Sequence, residues 1–322
     1  VPQVSGTLTG ADRLGGLKAR WGINRLNYLV PPGLYALGEP TPQSPAVVTA
    51  NYKMSYDLVR QALAGRSVWL LVLETYGINV WCAAGKGTFG TGELVRRVEK
   101  TGLGEVVSHR RLILPILGAP GVAAHEVKRR TGFSVAYATI RAEDLPAYLD
   151  NGQLTTPAMR QLTFSLYERL VLVPVEIVLS LKSVSLAGAA IFLVALLWAG
   201  VPSGLIALAA YLGAVLAGLA VAPLLLPVLP GKSFAIKGAV LGLVYAALFY
   251  GVAGGAGWNR WVASASFLAL PALSAYHTLN FTGCTPFTSR SGVKKEMRLS
   301  FPLLGGALLV ALLLVIVGRV LS

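Results

Sequence analysis

A chain of 322 residues that is 54% hydrophobic and only 13% charged is too apolar for an ordinary soluble protein, and the excess lies almost entirely after Lys182. The net charge of +14 first suggests nucleic acid, but the basic residues form no aromatic-interleaved patch, and several fall between apolar runs. They read as a membrane orientation signal, not as a nucleic-acid surface. Cys82 and Cys284 lie in different halves without pairing spacing, which argues against a disulfide framework and fits a reducing compartment.

The chain opens on Val1 rather than Met, so a few residues are expected ahead of it. No charged n-region, apolar h-region and cleavage site marks the first half for export. The Pro-rich stretch 40–45 reads as an ordered loop. Short β-branched runs then alternate with helix-like segments: 47–50, 55–64 and 68–73, followed by 92–100, 112–114, 122–131 and 133–138. This alternation predicts a Rossmann-like α/β domain with a mostly parallel sheet. Gly65, Gly102 and Gly132 each fall just past a helical pattern, where a left-handed residue ends a helix.

Between the two sets lies Asn79-Val80-Trp81-Cys82-Ala83-Ala84-Gly85-Lys86-Gly87-Thr88-Phe89-Gly90. Asn79 is a good N-cap, Ala83 and Ala84 suggest a shaved face, and Gly85 suits the end of one short helical turn. Such a turn would present Cys82, a soft donor suited to a transition metal, to a flat cofactor. Thr91 is expected to cap the next helix, with Glu93 in its first turn. The glycines formally match G-x-G-x-x-G, but that fingerprint puts its first glycine at a strand end, and the cysteine turn intervenes. A Walker A loop fails because Gly87 follows Lys86 where Ser or Thr should bind magnesium.

The twelve-residue motif closely resembles the cap-helix signature of the HgcA family of mercury-methylating corrinoid proteins, and the resemblance covers essentially the whole chain. Gly33-Leu34-Tyr35-Ala36-Leu37-Gly38 with Thr49-Ala50-Asn51-Tyr52-Lys53 resembles the opening of the corrinoid-binding domain that this family shares with the large subunit of the corrinoid iron–sulfur protein. The resemblance implies that Cys82 is the lower axial ligand of the corrinoid cobalt, and that Asn79, Val80, Trp81, Ala83, Ala84, Gly85 and Lys86 lie at the cofactor. Trp81 either packs in the core or walls the cofactor pocket. Asn79 and Lys86 either orient the turn or reach corrin amides, and a lysine that is simply solvated stands equally open. Thr49, Asn51, Gly118 and Gly121 stand at expected strand ends or sharp loops, where ligands of α/β sheets gather, and are assigned to the corrinoid and its nucleotide tail. The cobalamin motif D-x-H-x-x-G is absent. His109 and His125 read as hydrogen-bonded structural residues, and three histidines without a carboxylate cluster leave no zinc site.

After Lys182 five apolar runs, roughly 184–201, 204–226, 235–253, 260–280 and 301–320, are long enough to cross a bilayer at about 17–25 residues per span. Lys232, Lys237, Arg290, Lys294, Lys295 and Arg298 fall in two connections, whereas those around Pro202 and Gly255 carry almost no charge. This pattern puts the N-terminal half in the cytoplasm and the tail after Arg319 outside. Residues 162–181 hold Glu168, Arg169, Pro174 and Glu176 and suggest an interfacial helix, with the two glutamates snorkelling. The expected organisation is a corrinoid-binding domain over 1–155, an interfacial linker helix over 156–183 and a transmembrane bundle over 184–322. Cys284 reads as a passive cysteine at a span end rather than a relay for mercury.

The expected activity is a membrane-anchored corrinoid methyltransferase that transfers a methyl group from cobalt to Hg(II). The resemblance implies a methyl source in one-carbon folate metabolism and a ferredoxin-like partner, HgcB, carrying two four-iron four-sulfur clusters. Two cysteines leave the chain without a cluster of its own. The competing expectations are a corrinoid methyl carrier of the acetyl-CoA pathway type and a membrane protein that binds cobamide without turnover.

Overall fold

The structure is a computed structural model that describes residues 1–321, with the side chains of Cys284 and Arg290 outside the description. The chain divides into two compact units, Val1–Thr163 and Phe164–Ser322.

The first unit contains strands β1 (Gln3–Val4), β2 (Gly33–Leu37), β3 (Ala46–Ala50), β4 (Val68–Leu73), β5 (Arg111–Leu114) and β6 (Ser134–Tyr137). They form one sheet in the order β1-β2-β4-β3-β5-β6, in which only the β2–β4 pair is antiparallel. Helix α1 (Gly10–Arg20) precedes β2, and α2 (Lys53–Ala62) links β3 to β4. Helices α3 (Val80–Lys86), α4 (Thr91–Lys100) and α5 (Leu103–Val106) link β4 to β5, α6 (Ala124–Thr131) links β5 to β6, and α7 (Leu145–Asp150) follows.

Alternation along the strands sends side chains to two cores. Ala46, Val48, Ala50, Leu71 and Leu73 meet Ala83, Leu94, Val95, Leu103 and Val127 from α3–α6. Val47, Leu70, Val72 and Ile113 meet Tyr56, Leu63, Leu145 and Tyr148 on the other side. Burial on both faces explains why the central strands read as near-continuous apolar runs. The three predicted helix-ending glycines all have left-handed backbones, at φ +79° for Gly65, +61° for Gly102 and +77° for Gly132. From β3 the chain steps to β4 on one side and then returns past β3 to β5 on the other. The carboxyl ends of β3 and β5 therefore diverge at a topological switch point, where α/β sheets hold ligands.

The second unit opens with α8 (Leu166–Leu170), capped by a Ser165–Glu168 box. Helix α9 (Val173–Leu216) follows, then a π-helical turn at Ala217–Val221, α10 (Ala222–Leu225), α11 (Phe234–Val252), α12 (Arg260–Asn280) and α13 (Arg290–Val320). Among the described residues, four helical segments are long and apolar enough to cross a membrane, and the first, Leu166–Leu225, has 60 residues. A straight helix of that length would measure about 90 Å, three times a hydrocarbon core of about 30 Å. It is instead a hairpin, broken where Ala199 (φ −141°) and Gly200 (φ +85°) leave helical geometry ahead of Pro202. A Cβ at Gly204 would lie 3.0 Å from the Phe192 ring, and one at Gly188 would lie 3.2 Å from Leu208, so the two arms pack closely.

The interfacial helix expected before the first span does not stand apart. Helix runs unbroken from Val173 through Lys182 into the first arm, because no residue there breaks the backbone ladder before Ala199. Gly238 and Gly242, one turn apart on α11, bring it onto Ala275, Thr278, Pro271 and Ser274 of α12, the close approach that small residues permit between apolar helices. At one end of the bundle Glu296 accepts hydrogen bonds from the Ser233 hydroxyl (2.7 Å) and the Ala235 amide (3.0 Å). At the other, Asn259 donates to the Gly318 carbonyl (3.2 Å). Lys294, Lys295 and Arg298, expected in a connection, lie instead in the first turns of α13, and these share one end of the bundle with the connection carrying Lys232.

Candidate functional site

The cysteine turn starts as its sequence predicts. Asn79 caps α3, its side chain accepting from the Cys82 amide at 2.9 Å. Its end and its facing differ. Gly87, at φ +83°, closes the helix, while Gly85 lies inside it. Val80, Ala83 and Ala84 turn into the core, with Ala83 fully buried, and Trp81 is half-buried. The outward face consists of Cys82, Gly85 and Lys86, the i, i+3 and i+4 positions that share one side of a helix. The shaved spot beside the thiol is thus Gly85, where a Cβ would meet nothing within 4 Å. Nor does Thr91 cap α4: Gly90 takes that place, and the Thr91 hydroxyl accepts from the Ala123 amide at 2.8 Å.

Gly118 and Gly121, in the loop after β5, serve this turn from behind. A Cβ on Gly121 would lie 2.1 Å from the Phe89 carbonyl oxygen and 3.0 Å from the Ala84 Cα, and one on Gly118 would lie 2.5 Å from the Phe89 ring. Only bare backbone fits, so both glycines seat α3 against the β5 loop. We expect Ala83→Leu to cost about 1–3 kcal/mol through overpacking. Gly85→Leu should leave stability unchanged or raise it, since leucine is the better helix former. Hydrogen exchange across α3 in the two variants checks this pair.

Thr49, at the end of β3, is buried and its hydroxyl has no hydrogen-bond partner. An unpaired hydroxyl at a switch point points to a polar group that a ligand or ordered water would supply. Asn51 is also buried, but its amide is spent inside the protein: Oδ1 accepts from the Thr75 amide (3.0 Å) and Nδ2 donates to Glu74 (2.7 Å). Glu74 and Thr75, the two residues that follow β4, escaped the sequence reading. Their signal is a polar residue immediately after an apolar strand. Glu93, in the first turn of α4, accepts from the Glu74 amide (2.9 Å) and pairs with Arg96 and Arg97. Burial pushes the Glu93 carboxyl up, but the Glu74 amide and the two guanidinium groups outweigh it and hold it below the usual range.

His109 is a structural residue. Its Nδ1 accepts from the Arg111 amide (3.2 Å), which leaves Nε2 to donate to the Ser44 carbonyl (2.9 Å). His125 is exposed on α6. Cys284 falls on a side chain outside the described residues. A hollow of about 200 Å³ lined by Gln43, His109, Arg111 and Gln153 lies at the amino-terminal ends of β3 and β5, away from Cys82. It is too small for a macrocycle. What α3 offers is an open face with one exposed thiol, a glycine beside it and a cation at its rim.

These features define an α/β domain with a topological switch point and an exposed thiol on a short capped helix. Residues 25–149, which contain all of them, match the family described as CO dehydrogenase/acetyl-CoA synthase delta subunit. The chain is similar to the acetyl-CoA decarbonylase/synthase complex subunit gamma of Methanopyrus kandleri, 36% identical over 124 residues, which are 38% of this chain and 26% of that protein. It is likewise similar to the Archaeoglobus fulgidus subunit gamma, 31% identical over 123 residues, again 38% of this chain and 26% of that protein. The Methanosarcina thermophila subunit gamma 2 is 34% identical over 90 residues, 27% of this chain and 19% of that protein. The chain thus spans about a quarter of the length of the curated relatives it matches.

Proposed function

We propose that this chain is a corrinoid protein of the cytoplasmic membrane that transfers a methyl group to Hg(II), forming methylmercury. The exposed Cys82 on the outward face of α3 carries this reading, supported by the HgcA-like motif around it and by a domain match to the corrinoid iron–sulfur protein family. The donor set fits the cofactor: a thiol is a soft donor suited to cobalt, Gly85 leaves room for a flat ring, and Thr49 keeps a buried hydroxyl for a polar arm of the ligand. A corrinoid bound there supplies a cobalt ion that can take up and give up a methyl group. The chain's own residues hold and orient it. Asn79 fixes the first turn of α3, Gly118 and Gly121 brace that helix from behind, and Lys86 stands where it could reach a ring amide. Uptake of cobamide should fall in Gly85→Leu and persist in Gly85→Ala, as read by cobalt content per protein.

Hg(II) is the substrate in this reading, and the methyl donor comes from one-carbon folate metabolism. With two cysteines the chain has too few ligands for an iron–sulfur cluster, so reducing equivalents come from a partner such as HgcB, a ferredoxin-like protein with two four-iron four-sulfur clusters. The helices from Leu166 onward anchor the protein, and the basic end of the bundle faces the cytoplasm together with the N-terminal domain. A cysteine at Leu154, in a background where Cys82 and Cys284 are serine, should escape an impermeant maleimide in intact cells and react after lysis. Labelling from outside would sink the orientation.

A second reading, a corrinoid methyl carrier of the acetyl-CoA pathway type, is favoured by the relatives, all of which are acetyl-CoA complex subunits. The two separate on the acceptor. Purified protein loaded with cobamide and given a methyl donor and reductant should produce methylmercury from Hg(II), and absence of that product would leave the carrier reading in place. A cobamide-binding membrane protein without turnover would bind the cofactor, take up no methyl group from the donor and form no methylmercury.

A further inference from the structure

The segment that delivers Cys82 is unusual in its backbone. Between the end of β4 and Asn79, Tyr76 has φ +55° and Gly77 has φ +72°, two consecutive left-handed residues. The first is a bulky aromatic, for which that region is costly and persists only when surrounding bonds enforce it. Those bonds converge on Asn51. Its backbone amide donates to the Leu73 carbonyl (2.9 Å), tying it to the strand end from which the loop departs. Its Oδ1 accepts from the Thr75 amide (3.0 Å) and the Gly77 amide (3.4 Å), and the Thr75 hydroxyl stands 2.9 Å away. Its Nδ2 donates to Glu74 Oε1 (2.7 Å), which also accepts from the Tyr76 amide (2.9 Å). The amide donors on one side and the carboxylate on the other fix which way the Asn51 side chain points.

We propose that Asn51 is the positioning residue for Cys82: by pinning Glu74, Thr75 and Gly77 to the end of β3, it sets the loop that fixes the height and direction of α3. The inference deepens the proposed cobalt-ligand role of Cys82 and rests on that reading for its spectroscopic arm. Oδ1 is saturated by donors from this one loop and Nδ2 is tied to Glu74, so the effect of Asn51 passes through the loop. Glu74 is its charged partner, and Glu93, accepting from the Glu74 amide, anchors the same loop to α4.

The test uses the full chain in nanodiscs with Asn51→Ala, Asn51→Asp and the double variant Asn51→Asp/Glu74→Gln. Asn51→Asp puts two carboxylates face to face. In the double variant the side-chain amide introduced at position 74 can donate to the carboxylate introduced at position 51, which restores that contact while the exposed Tyr76 amide turns to water. Hydrogen exchange of the cofactor-free protein should quicken about tenfold or more at the Thr75 and Cys82 amides in both single variants, and return most of the way to wild type in the double. Peptides from β3 and β4 serve as the fold control. With cobamide bound, the absorption signature that separates wild type from Cys82→Ala should be lost in the single variants and regained in the double. Unchanged exchange in Asn51→Ala overturns the proposal. So does a double variant whose exchange recovers while its spectrum does not, because Asn51 would then act on the cofactor directly. Identical spectra for wild type and Cys82→Ala would sink the ligand role of Cys82 instead, and the exchange data would still decide what Asn51 does to the turn.

Discussion

Cys82→Ala should reduce methylmercury formation to background while the N-terminal domain keeps its fold. The thiol is exposed, so its removal opens no cavity, and alanine is at least as good a helix former at that position. What is lost is a soft, strongly donating ligand at the proposed metal. The sulfur lies on the outward face of α3, and among the described residues no group of three His, Cys, Asp or Glu side chains is placed to hold a metal ion in its stead. Cys82→His should not rescue, because a neutral imidazole donates less and needs more room beside Gly85. The assay is methylmercury per protein with reductant and methyl donor supplied, alongside cobalt content and a melting curve. Near wild-type turnover in the alanine variant would end the proposed role of this residue.

The largest expected effect on stability comes from a different place. Arg60→Leu should weaken the attachment of α1 and β1 by about 1–3 kcal/mol, since buried Asp57 and half-buried Asp12 lose one of their two cations and keep only Lys53. Arg60 is buried and pairs with Asp57 (2.8 Å) and Asp12 (2.8 Å), while Lys53 bridges the same two acids at 2.7 and 2.6 Å. Its guanidinium also donates to the Ser5 (2.7 Å) and Thr7 (3.1 Å) carbonyls, so one side chain ties the N-terminal segment to α2. Replacing Asp57 by leucine as well should recover part of the loss, because the under-paired buried carboxylate goes with it while Lys53 still holds Asp12. The Lys53 ammonium beside Asp12 holds its carboxyl well below the usual carboxylate range, outweighing burial, with Thr9 and Arg60 adding to the effect. A carboxyl depressed in the folded state contributes fully above its unfolded pKa of about 3.9 and loses that contribution as pH falls below it. Protection factors of the α1 amides, with the pH dependence of intrinsic exchange divided out, should therefore fall below about pH 4, and Asp12→Asn should flatten that dependence. Local exchange is the right measurement, since a chain of two units has no single unfolding free energy.

Much of the architecture was legible because it is written locally. The β-branched runs at 47–50 and 68–73 became β3 and β4, and the glycines at 65, 102 and 132 ended their helices through positive φ. The break near Pro202 separated two apolar arms, and Asn79 capped the turn it begins. Each of these follows from period, propensity or a single backbone restriction. The antiparallel strand β2 was not assigned, because its five residues carry no alternation that distinguishes a strand from a loop.

By itself the sequence determined that a lone cysteine would stand on a short capped helix inside an α/β domain, and that a basic-ended set of apolar helices would follow it. Only the tertiary structure decided which side of that helix faces out. Ala83 packs into the sheet core, and Gly121, more than thirty residues later, brings the β5 loop against Ala84 while Gly118 admits the Phe89 ring, which leaves Gly85 as the open spot beside the thiol. It likewise placed Asn51, expected at the ligand, at the centre of the hydrogen bonds of the β4–α3 loop. The reason is the same in both cases. Local patterns encode which backbone a segment adopts, whereas the direction a small or polar side chain takes is set by partners distant in the chain, whose approach no short stretch of sequence records.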